Sequence, residues 1–437
     1  MSGAGPHEHG TARDPAADPA TAPDDGPNDG QGDGGTGPSV LVVGGGLAGF
    51  SLARQLRALG HTGALRLVDP EGLPYDRPPL SKAYLLGQTD RTGILLADDQ
   101  WCREHDVAIT TGTVAAIDPD AGEAHLVGGS VLQADVLVLA TGGTARRLAI
   151  PGGDLDTVLE LRTRADADRL RASLRPGLRL AVIGAGLIGA EAASAARDLG
   201  ADVVLIDPVD PPLVPAVGPD LARRLHDMHA ERGLEAVTGI PTAITRDADG
   251  HTVTLEDGRI LRADAVLVGV GITANTALAE AAGLETDGGI IVDDRQRTSH
   301  RRVYAVGDAA RVRGTDGVLR RRAEHWESAM NSGHAAAAAI AGAEPPARGA
   351  SWFWSDRHGV HVEGVGSMTE PGTTVIREAD GAPAIAFRLD AAGYLVGCAA
   401  IDGGLAVRAA RRIIDRRIRV DPAALADPTV NLKKLAR

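Results

Sequence analysis

The chain has 437 residues, of which 43% are hydrophobic and 3% aromatic, and its formal net charge is −13. This length predicts two or three domains, and the acidic balance argues against a nucleic-acid partner. The two cysteines, Cys102 and Cys398, form no CxxC pair and no metal-ligand spacing. We therefore expect no metal site and no structural disulfide, and we interpret Cys102 as core packing.

The N-terminal segment, residues 1–38, consists mostly of Gly, Pro, Ala and Asp and offers almost nothing to bury. This composition predicts a disordered tail. The segment lacks the apolar core of a signal peptide, and no apolar run in the chain reaches transmembrane length. These features favour a cytoplasmic protein with no membrane partner.

A glycine fingerprint, VLVVGGGLAG at residues 40–49, predicts a buried strand, a tight turn and the start of a helix. In this pattern Gly44 makes the turn, Gly46 lets a pyrophosphate approach the backbone, and Gly49 permits close packing of helix on strand. The open N–H groups and the positive end of the helix dipole attract the phosphate charge. The segment therefore predicts a dinucleotide site.

The next predicted strand, residues 65–68, ends at an acid. In a dinucleotide-binding fold, an acid at this point accepts hydrogen bonds from the adenosine ribose. Asp69 is favoured because it ends the strand directly. Glu71 lies close enough in sequence for the same role, and the choice between them stays open.

The segment PYDRPPLSKAYL, residues 74–85, is the most specific motif of the chain. Pro78 and Pro79 stiffen the backbone, and we predict that Ser81 caps a helix that begins at Lys82. A lysine there can reach a flavin ring and stabilise the negative charge that develops on it.

The strand–glycine–helix unit then repeats. LAVIGAGLIGAE at residues 180–191 matches the first fingerprint, and ADAVLVGVGI at 263–272 mirrors ADVLVLATGG at 134–143. The repeat predicts an internal duplication that holds two dinucleotides and passes electrons between them. Asp207 ends the predicted strand that follows the second fingerprint. It would repel a 2′-phosphate, which favours NADH over NADPH. The residues expected to bind NADH are Gly184, Gly186, Ile188, Gly189, Glu191, Asp207 and Gly271.

Two further segments complete the chain. RRVYAVGDAA at residues 301–310 predicts a short strand that enters a turn and a helix, and Pro345-Pro346 begins a linker. Residues 350–437 then read as a separate α+β unit. The predicted fold class is α/β, with two Rossmann-like dinucleotide-binding domains and a C-terminal α+β domain.

The chain resembles the FAD- and NADH-dependent ferredoxin reductases that serve Rieske-type oxygenases and bacterial P450s, a family that includes putidaredoxin reductase. The resemblance covers residues 39–437, and the motifs occur in the family's order. They are GGGLAG, YDRPPLSK, ATGGTARRLAIPG, LRT, GAGLIGAE, YAVGDAA, EHW, WFWSD and LADPTVNLKKL. It implies an FAD-binding domain at 39–152 and 275–344, an NAD-binding domain at 153–274, and a C-terminal domain at 350–437.

Site residues follow from the same resemblance. It implies that Lys82 lies near flavin N5 and that Glu191 and Glu324 lie near the nicotinamide carboxamide, which makes these three the candidate catalytic residues. Trp326 is expected to contact the flavin through its backbone, and Trp354 to pack near the ring. The full set expected to bind FAD is Gly44, Gly46, Ala48, Gly49, Asp69, Arg77, Lys82, Val114, Ala140, Thr141, Gly142, Arg146, Gly307, Asp308, Trp326 and Trp354.

The chain departs from the family pattern at Ala145, where Pro is usual, at Arg357, where Gln is usual, and at Ala274, where Pro is usual. It also lacks the cysteine that disulfide reductases, NADH oxidases and peroxidases of this fold carry near the flavin. Electrons that leave the flavin must therefore go to an external acceptor or to oxygen.

The expected acceptor is a [2Fe–2S] ferredoxin of an oxygenase system, and the protein is expected to be a monomer or a homodimer. Such ferredoxins are usually acidic, so we expect a basic docking face. The alternatives are another acceptor (rubredoxin, a quinone or oxygen) or an NADH-responsive flavoprotein switch resembling apoptosis-inducing factor. The candidate docking residues are Arg311, Arg313, Arg320, Arg321 and Arg322 in one run, and Arg408, Arg411, Arg412, Arg416, Arg417 and Arg419 in another.

Overall fold

The computed structural model describes residues 37–436. A five-stranded parallel sheet forms the first nucleotide-binding unit. Its central strand, Val40–Val43, is fully buried and pairs with Leu65–Asp69 on one side and Val136–Leu139 on the other. The edge strands are Val107–Thr111 and Val303–Ala305. Consecutive apolar residues suit this position, because a parallel sheet is covered on both faces.

A second five-stranded parallel sheet repeats this arrangement in the second nucleotide-binding unit. Arg179–Ile183 is central, between Asp202–Asp207 and Ala265–Val268. The edges are Glu235–Thr238 and Val158–Leu159. Four strands follow the same order in both sheets, which agrees with the predicted duplication. The fifth strand follows the others along the chain in the first unit and precedes them in the second.

Each unit adds the same accessories to its sheet. The helices Leu47–Ala58 and Leu187–Asp198 follow the central strands. A three-stranded antiparallel sheet follows later in each unit. These sheets comprise Val114–Asp118, Glu123–Leu126 and Val131–Gln133 in the first unit, and Pro241–Asp247, Gly250–Leu255 and Ile260–Ala263 in the second.

Two short antiparallel strands, Gly143–Ala145 and Ile272–Ala274, join the two units. The chain leaves the first sheet through one of them, forms the second sheet, and returns through the other. Val303–Ala305 then completes the first sheet from a distant part of the chain. The exact domain boundaries stay a prediction.

A five-stranded antiparallel sheet forms the C-terminal unit, residues 352–436. The helix Gly404–Asp415 packs Val407 and Ile413 against one face, and Pro219–Glu231 of the second unit covers the other face with Leu221 and Leu225. The C-terminal sheet is therefore fixed to the second unit by a shared core. Its strands run in the order Trp352–Arg357, Val360–Gly366, Leu395–Ile401, Ala382–Asp390 and Gly372–Ala379.

Two local predictions were wrong. No helix begins at Lys82: a 3-10 turn, Pro78–Ser81, precedes it, and the Ser81 hydroxyl donates to Glu191 of the second unit instead of capping a helix. No helix follows Gly307–Ala309, a second 3-10 turn, because the chain continues as the strand Ala310–Val312, which pairs with Ile290–Val292. In both places a contact from a distant segment overrides the local preference.

The remaining elements are short, apart from one helix that packs on the first unit. Cys102 is buried in its helix, as expected. The tail predicted at residues 1–38 lies outside the described residues except for its last two. Within residues 37–436, no helix has both the length and the hydropathy needed to cross a membrane. The remaining helices are Asp99–Glu104, Arg164–Ser173, Val214–Val217, Ala277–Ala281, Trp326–Ile340, Pro422–Ala426 and Leu432–Leu435.

Candidate functional site

One cavity of about 1950 Å³ runs between the three units. Pockets for a single small ligand usually measure roughly 300–1,000 Å³. This cavity therefore has room for two large ligands in contact with each other. Both glycine turns open into it.

The glycine turns are shaped to receive phosphate. A Cβ at Gly46 or Gly186 would meet nothing within 4 Å, so both positions face open space. These two residues also precede the helices, and neither provides a side-chain cap, so the first helical N–H groups stay available. A Cβ at Gly49 or Gly189 would instead strike the carbonyl oxygen of the turn glycine on the preceding loop. Two pyrophosphates fit this arrangement.

Asp69 and Asp207, which end corresponding strands of the two sheets, accept hydrogen bonds from the glycine turns. The Gly45 N–H donates to Asp69 Oδ2 at 2.7 Å, and the Ala185 N–H donates to Asp207 Oδ2 at 2.8 Å. Both carboxylates line the cavity. A carboxylate has about four acceptor positions, so each acid can also accept a ribose hydroxyl.

Glu71 has other partners. Its Oε2 accepts the Tyr75 hydroxyl at 2.7 Å, and Arg164 Nε lies 3.8 Å from its Oε1. Burial raises the pKa of Tyr75, so its hydroxyl stays a donor. These contacts support Asp69 as the ribose ligand, although both acids line the cavity.

Lys82 and Glu191 form an ion pair across the first two units, with 2.6 Å between Lys82 Nζ and Glu191 Oε2. Ser81 donates to the same oxygen at 2.5 Å. The Glu191 side chain is 1% exposed and that of Lys82 is 19% exposed. The pair lies in the cavity wall, and Glu191 holds the Lys82 ammonium in place there.

The C-terminal unit completes this cluster. Ser355 donates to Glu191 Oε1 at 2.6 Å, and the Asp356 N–H approaches the same oxygen at 3.3 Å. Arg357 Nη2 donates to the Ser355 hydroxyl at 2.9 Å. Burial lowers the pKa of Arg357 to about 10, against the opposing effect of Glu191 and Asp356, so its guanidinium remains charged at neutral pH. Glu191 is thus held by all three units.

An aromatic wall closes another side of the cavity. Trp354 stacks on Trp352 with ring centroids 4.9 Å apart and meets Trp326 edge-on at 6.0 Å. The Trp326 indole donates to Asp76 Oδ1 at 2.8 Å, and burial raises the pKa of that carboxyl. The hydrogen bond to Asp76 therefore fixes the Trp326 side chain, and the helix that begins at Trp326 starts at the cavity.

Asp308 and Glu324 meet arginines at the cavity. Arg162 Nη2 donates to Asp308 Oδ2 at 2.8 Å, so this carboxylate is compensated by a cation. Arg322 lies 3.0 Å from Glu324 Oε1 and also donates to the backbone oxygen of Asp308. Glu324 is 38% exposed and is therefore more accessible than Glu191.

The structure brings most predicted site residues together. The Arg146 guanidinium donates to the Ile272 carbonyl at 3.2 Å, and Arg146 is not among the residues that line the cavity, so its contact with FAD stays a prediction. Gly49 and Gly189 support the turns from behind and do not line the cavity. The predicted residues that do line it are Gly44, Gly46, Ala48, Asp69, Arg77, Lys82, Val114, Ala140, Thr141, Gly142, Gly184, Gly186, Ile188, Glu191, Asp207, Gly271, Gly307, Asp308, Glu324, Trp326 and Trp354.

Sequence reasoning missed four polar partners, which are Ser81, Asp76, Arg162 and Ser355. Arg162 lies in the LRT motif, which carried the resemblance without a role for its arginine. The partners of the other three lie far away along the chain, so no local pattern points to them.

Two family models match the chain. The pyridine nucleotide-disulphide oxidoreductase model matches residues 38–333, and the reductase C-terminal model matches residues 352–436. The ferredoxin–NAD(+) reductase component of the anthranilate 1,2-dioxygenase system of Burkholderia cepacia is 37% identical over 402 residues, which are 90% of this chain and 98% of that protein. This chain belongs to that reductase family.

Two further similarities agree with this membership. Rhodocoxin reductase of Rhodococcus erythropolis is 34% identical over 401 residues, which are 90% of this chain and 93% of that protein. The reductase in the covalent putidaredoxin reductase–putidaredoxin complex superimposes with a TM-score of 0.85 at 32% identity, over 91% of this chain and 98% of that one. The predictions of the fold, of an FAD-dependent oxidoreductase and of FAD and NADH as cofactors are confirmed.

Alanine substitutions at Gly186 and Gly189, in the second glycine turn, should have different effects. Gly186→Ala should leave thermal stability unchanged and raise the KM for NADH about tenfold, because the added methyl enters the space that the pyrophosphate needs. Gly189→Ala should destabilise the protein by about 1–3 kcal/mol, because its methyl strikes the Gly184 carbonyl. Steady-state kinetics and thermal melts test both, with FAD content as the control. Equal KM values for wild type and Gly186→Ala would contradict the assignment.

Removing the buried carboxylate of Glu191 should lower the free energy of unfolding by about 3–5 kcal/mol, because Lys82 would lose its partner. Urea unfolding of Glu191→Ala measures this. Glu285→Gln is the matched control, because Glu285 pairs with Arg313 at the surface and its loss should be undetectable. Equal midpoints for the two variants would show that the cluster adds no stability.

Proposed function

We propose that this protein takes hydride from NADH onto FAD and passes single electrons to a [2Fe–2S] ferredoxin that serves an oxygenase, either a Rieske dioxygenase or a cytochrome P450. The observation that carries the proposal is the single cavity with two glycine turns and the Lys82–Glu191 pair in its wall. None of the described residues that line it is a cysteine. The names of the relatives, which are reductases of dioxygenase systems, support the same acceptor.

FAD, when bound, supplies the two-electron to one-electron conversion that this reaction needs. The protein's contribution is alignment and charge. The glycine turns hold the two pyrophosphates, and Asp69 and Asp207 hold the riboses. Lys82 provides positive charge at the wall, and Trp354 and Trp326 exclude water from it.

Of the two arginine runs, the C-terminal one is the better docking face for an acidic ferredoxin. Arg408 and Arg412 are exposed on the helix Gly404–Asp415, and neither has an acidic partner within residues 37–436. In the other run, most charges are already compensated by acids. Those pairs are Arg311–Asp287, Arg313–Glu285, Arg320–Asp316 and Arg322–Glu324.

Reversing the charge at both positions, in Arg408→Glu/Arg412→Glu, should lower kcat/KM for the ferredoxin tenfold or more, because two attractive contacts become repulsive. The loss should shrink as salt rises, since exposed charges are screened. Ferricyanide reduction should be unchanged. Arg246→Glu, an exposed arginine on a hairpin of the second unit, is the matched control. Equal loss of ferredoxin and ferricyanide reduction would contradict docking at this helix.

Asp207 should set the preference for NADH. In Asp207→Asn, the preference for NADH over NADPH in kcat/KM should fall about tenfold, because the negative charge that repels a 2′-phosphate is gone while the side-chain oxygen can still accept the Ala185 N–H. Steady-state rates with both nucleotides measure the ratio. Asp202→Asn, on the exposed start of the same strand, is the control. An unchanged preference would assign the discrimination elsewhere.

The deciding experiment is NADH-driven cytochrome c reduction by the purified flavoprotein, with and without a panel of [2Fe–2S] ferredoxins. A steep rise with one ferredoxin supports the proposal. A flat response would favour another acceptor or an NADH-responsive switch.

We also propose a cytoplasmic location, which the two free, buried cysteines fit.

A further inference from the structure

Arg357 is a buried cation with little direct compensation. It ends the strand Trp352–Arg357 and is 3% exposed. Its Nη2 donates to Ser355, its Nε has no hydrogen-bond partner, and no carboxylate of residues 37–436 lies within ion-pair distance of it. Such a group costs several kcal/mol to bury. Arg357 nevertheless lies next to the Glu191 cluster, where it contacts Ser355.

The hydrogen bonds of this cluster have a fixed direction. A guanidinium can only donate, so the Ser355 oxygen accepts from Arg357. The Ser355 proton must then point at Glu191 Oε1, 2.6 Å away. The other oxygen of Glu191 accepts from Ser81 and Lys82. Arg357 therefore sets the orientation of a hydroxyl that helps to hold the carboxylate paired with Lys82.

Glu191 and Asp356 both favour the charged form of Arg357, but each of these acids forms its ion pair with another group. Lys82 and Glu191 compensate each other. Burial lowers the pKa of His229 to about 3 and that of His358 to about 4, and the charge of Arg357 adds to both shifts, so both rings are neutral at neutral pH. Asp356 is half-exposed and shares His361 with the buried Glu363, at 2.5 Å and 3.1 Å respectively.

We propose that Arg357 is a positioning residue of the cofactor site, which orients Ser355 and Glu191 next to Lys82 and adds a permanent buried positive charge behind the cavity wall. A fixed cation favours the redox state that carries more negative charge, so Arg357 raises the midpoint potential of the flavin. The inference rests on the proposed function only in that FAD occupies the cavity beside Lys82.

The test compares flavin potentials in anaerobic reductive titrations against a reference dye, with neither NADH nor ferredoxin present. Arg357→Gln should lower the ratio of reduced to oxidised flavin at a fixed potential tenfold or more, which is about 30 mV for a two-electron couple. Arg357→Lys, compared with wild type at a pH low enough to keep a buried ammonium protonated, should restore the ratio to within about threefold of wild type.

Arg377→Gln is the matched control. Arg377 is also a buried arginine of the C-terminal unit, but its guanidinium donates to the carbonyls of Leu425, Ala424 and Val430, away from the cavity. Its loss should lower the melting temperature and leave the flavin potential unchanged. A potential shift in this variant equal to that of Arg357→Gln would mean that any damage to the unit moves the flavin.

The route through Ser355 has its own test. Rates of NADH-driven ferricyanide reduction are measured for Ser355→Ala, Arg357→Gln and the double variant. Because both residues act on Glu191 through one hydroxyl, their effects on kcat should not add. Additive effects would refute the positioning of Glu191 through Ser355. A ratio of reduced to oxidised flavin for Arg357→Gln within threefold of wild type, or equal ratios for the Gln and Lys variants, would refute the effect of the Arg357 charge. A wild type that holds FAD but reduces no ferredoxin would refute the acceptor and leave the potential comparison readable.

Discussion

The buried carboxylate of Glu191 is the interaction on which the cofactor site depends. Taking it out of water costs several kcal/mol unless donors replace the lost hydration. Those donors come from separate places: Ser81 and Lys82 from the first unit and Ser355 from the C-terminal unit. No single unit satisfies the carboxylate. The contacts that hold the three units together therefore also position Lys82 at the cavity. A displacement of any unit should move Lys82.

The internal duplication gives Glu191 a counterpart position in the first unit. The two glycine turns align position for position, and Glu191, two residues after Gly189, corresponds to Ser51, two residues after Gly49. Ser51 is buried on a helix that packs closely against the helix of Gly333. In the second unit the same helix position faces the other units. One fold thus provides a packing contact in one copy and the central acid of the site in the other.

Local patterns in the sequence predicted the parts of the fold that local physics determines. The glycine turns, their strands and the acids Asp69 and Asp207 are set by backbone geometry within about 25 residues, so they could be read directly. The contacts that were missed join distant residues: Ser81 to Glu191 across 110 positions, and Trp326 to Asp76 across 250. The wrong helix at Lys82 has the same origin, because a long-range partner took the hydroxyl that local rules assign to a cap.

Arginine supplies nearly all the basic charge of this chain, which has only three lysines, so composition alone cannot separate the roles of its cations. Position and partners separate them. Arg313 is neutralised by Glu285 at the surface, Arg408 is exposed, and Arg357 is buried. A guanidinium is the cation that stays charged on burial, whereas a compact ammonium suits a close contact with one carboxylate oxygen. The Lys82 ammonium faces the cavity and the Arg357 guanidinium lies behind it, an arrangement that matches each cation to its surroundings.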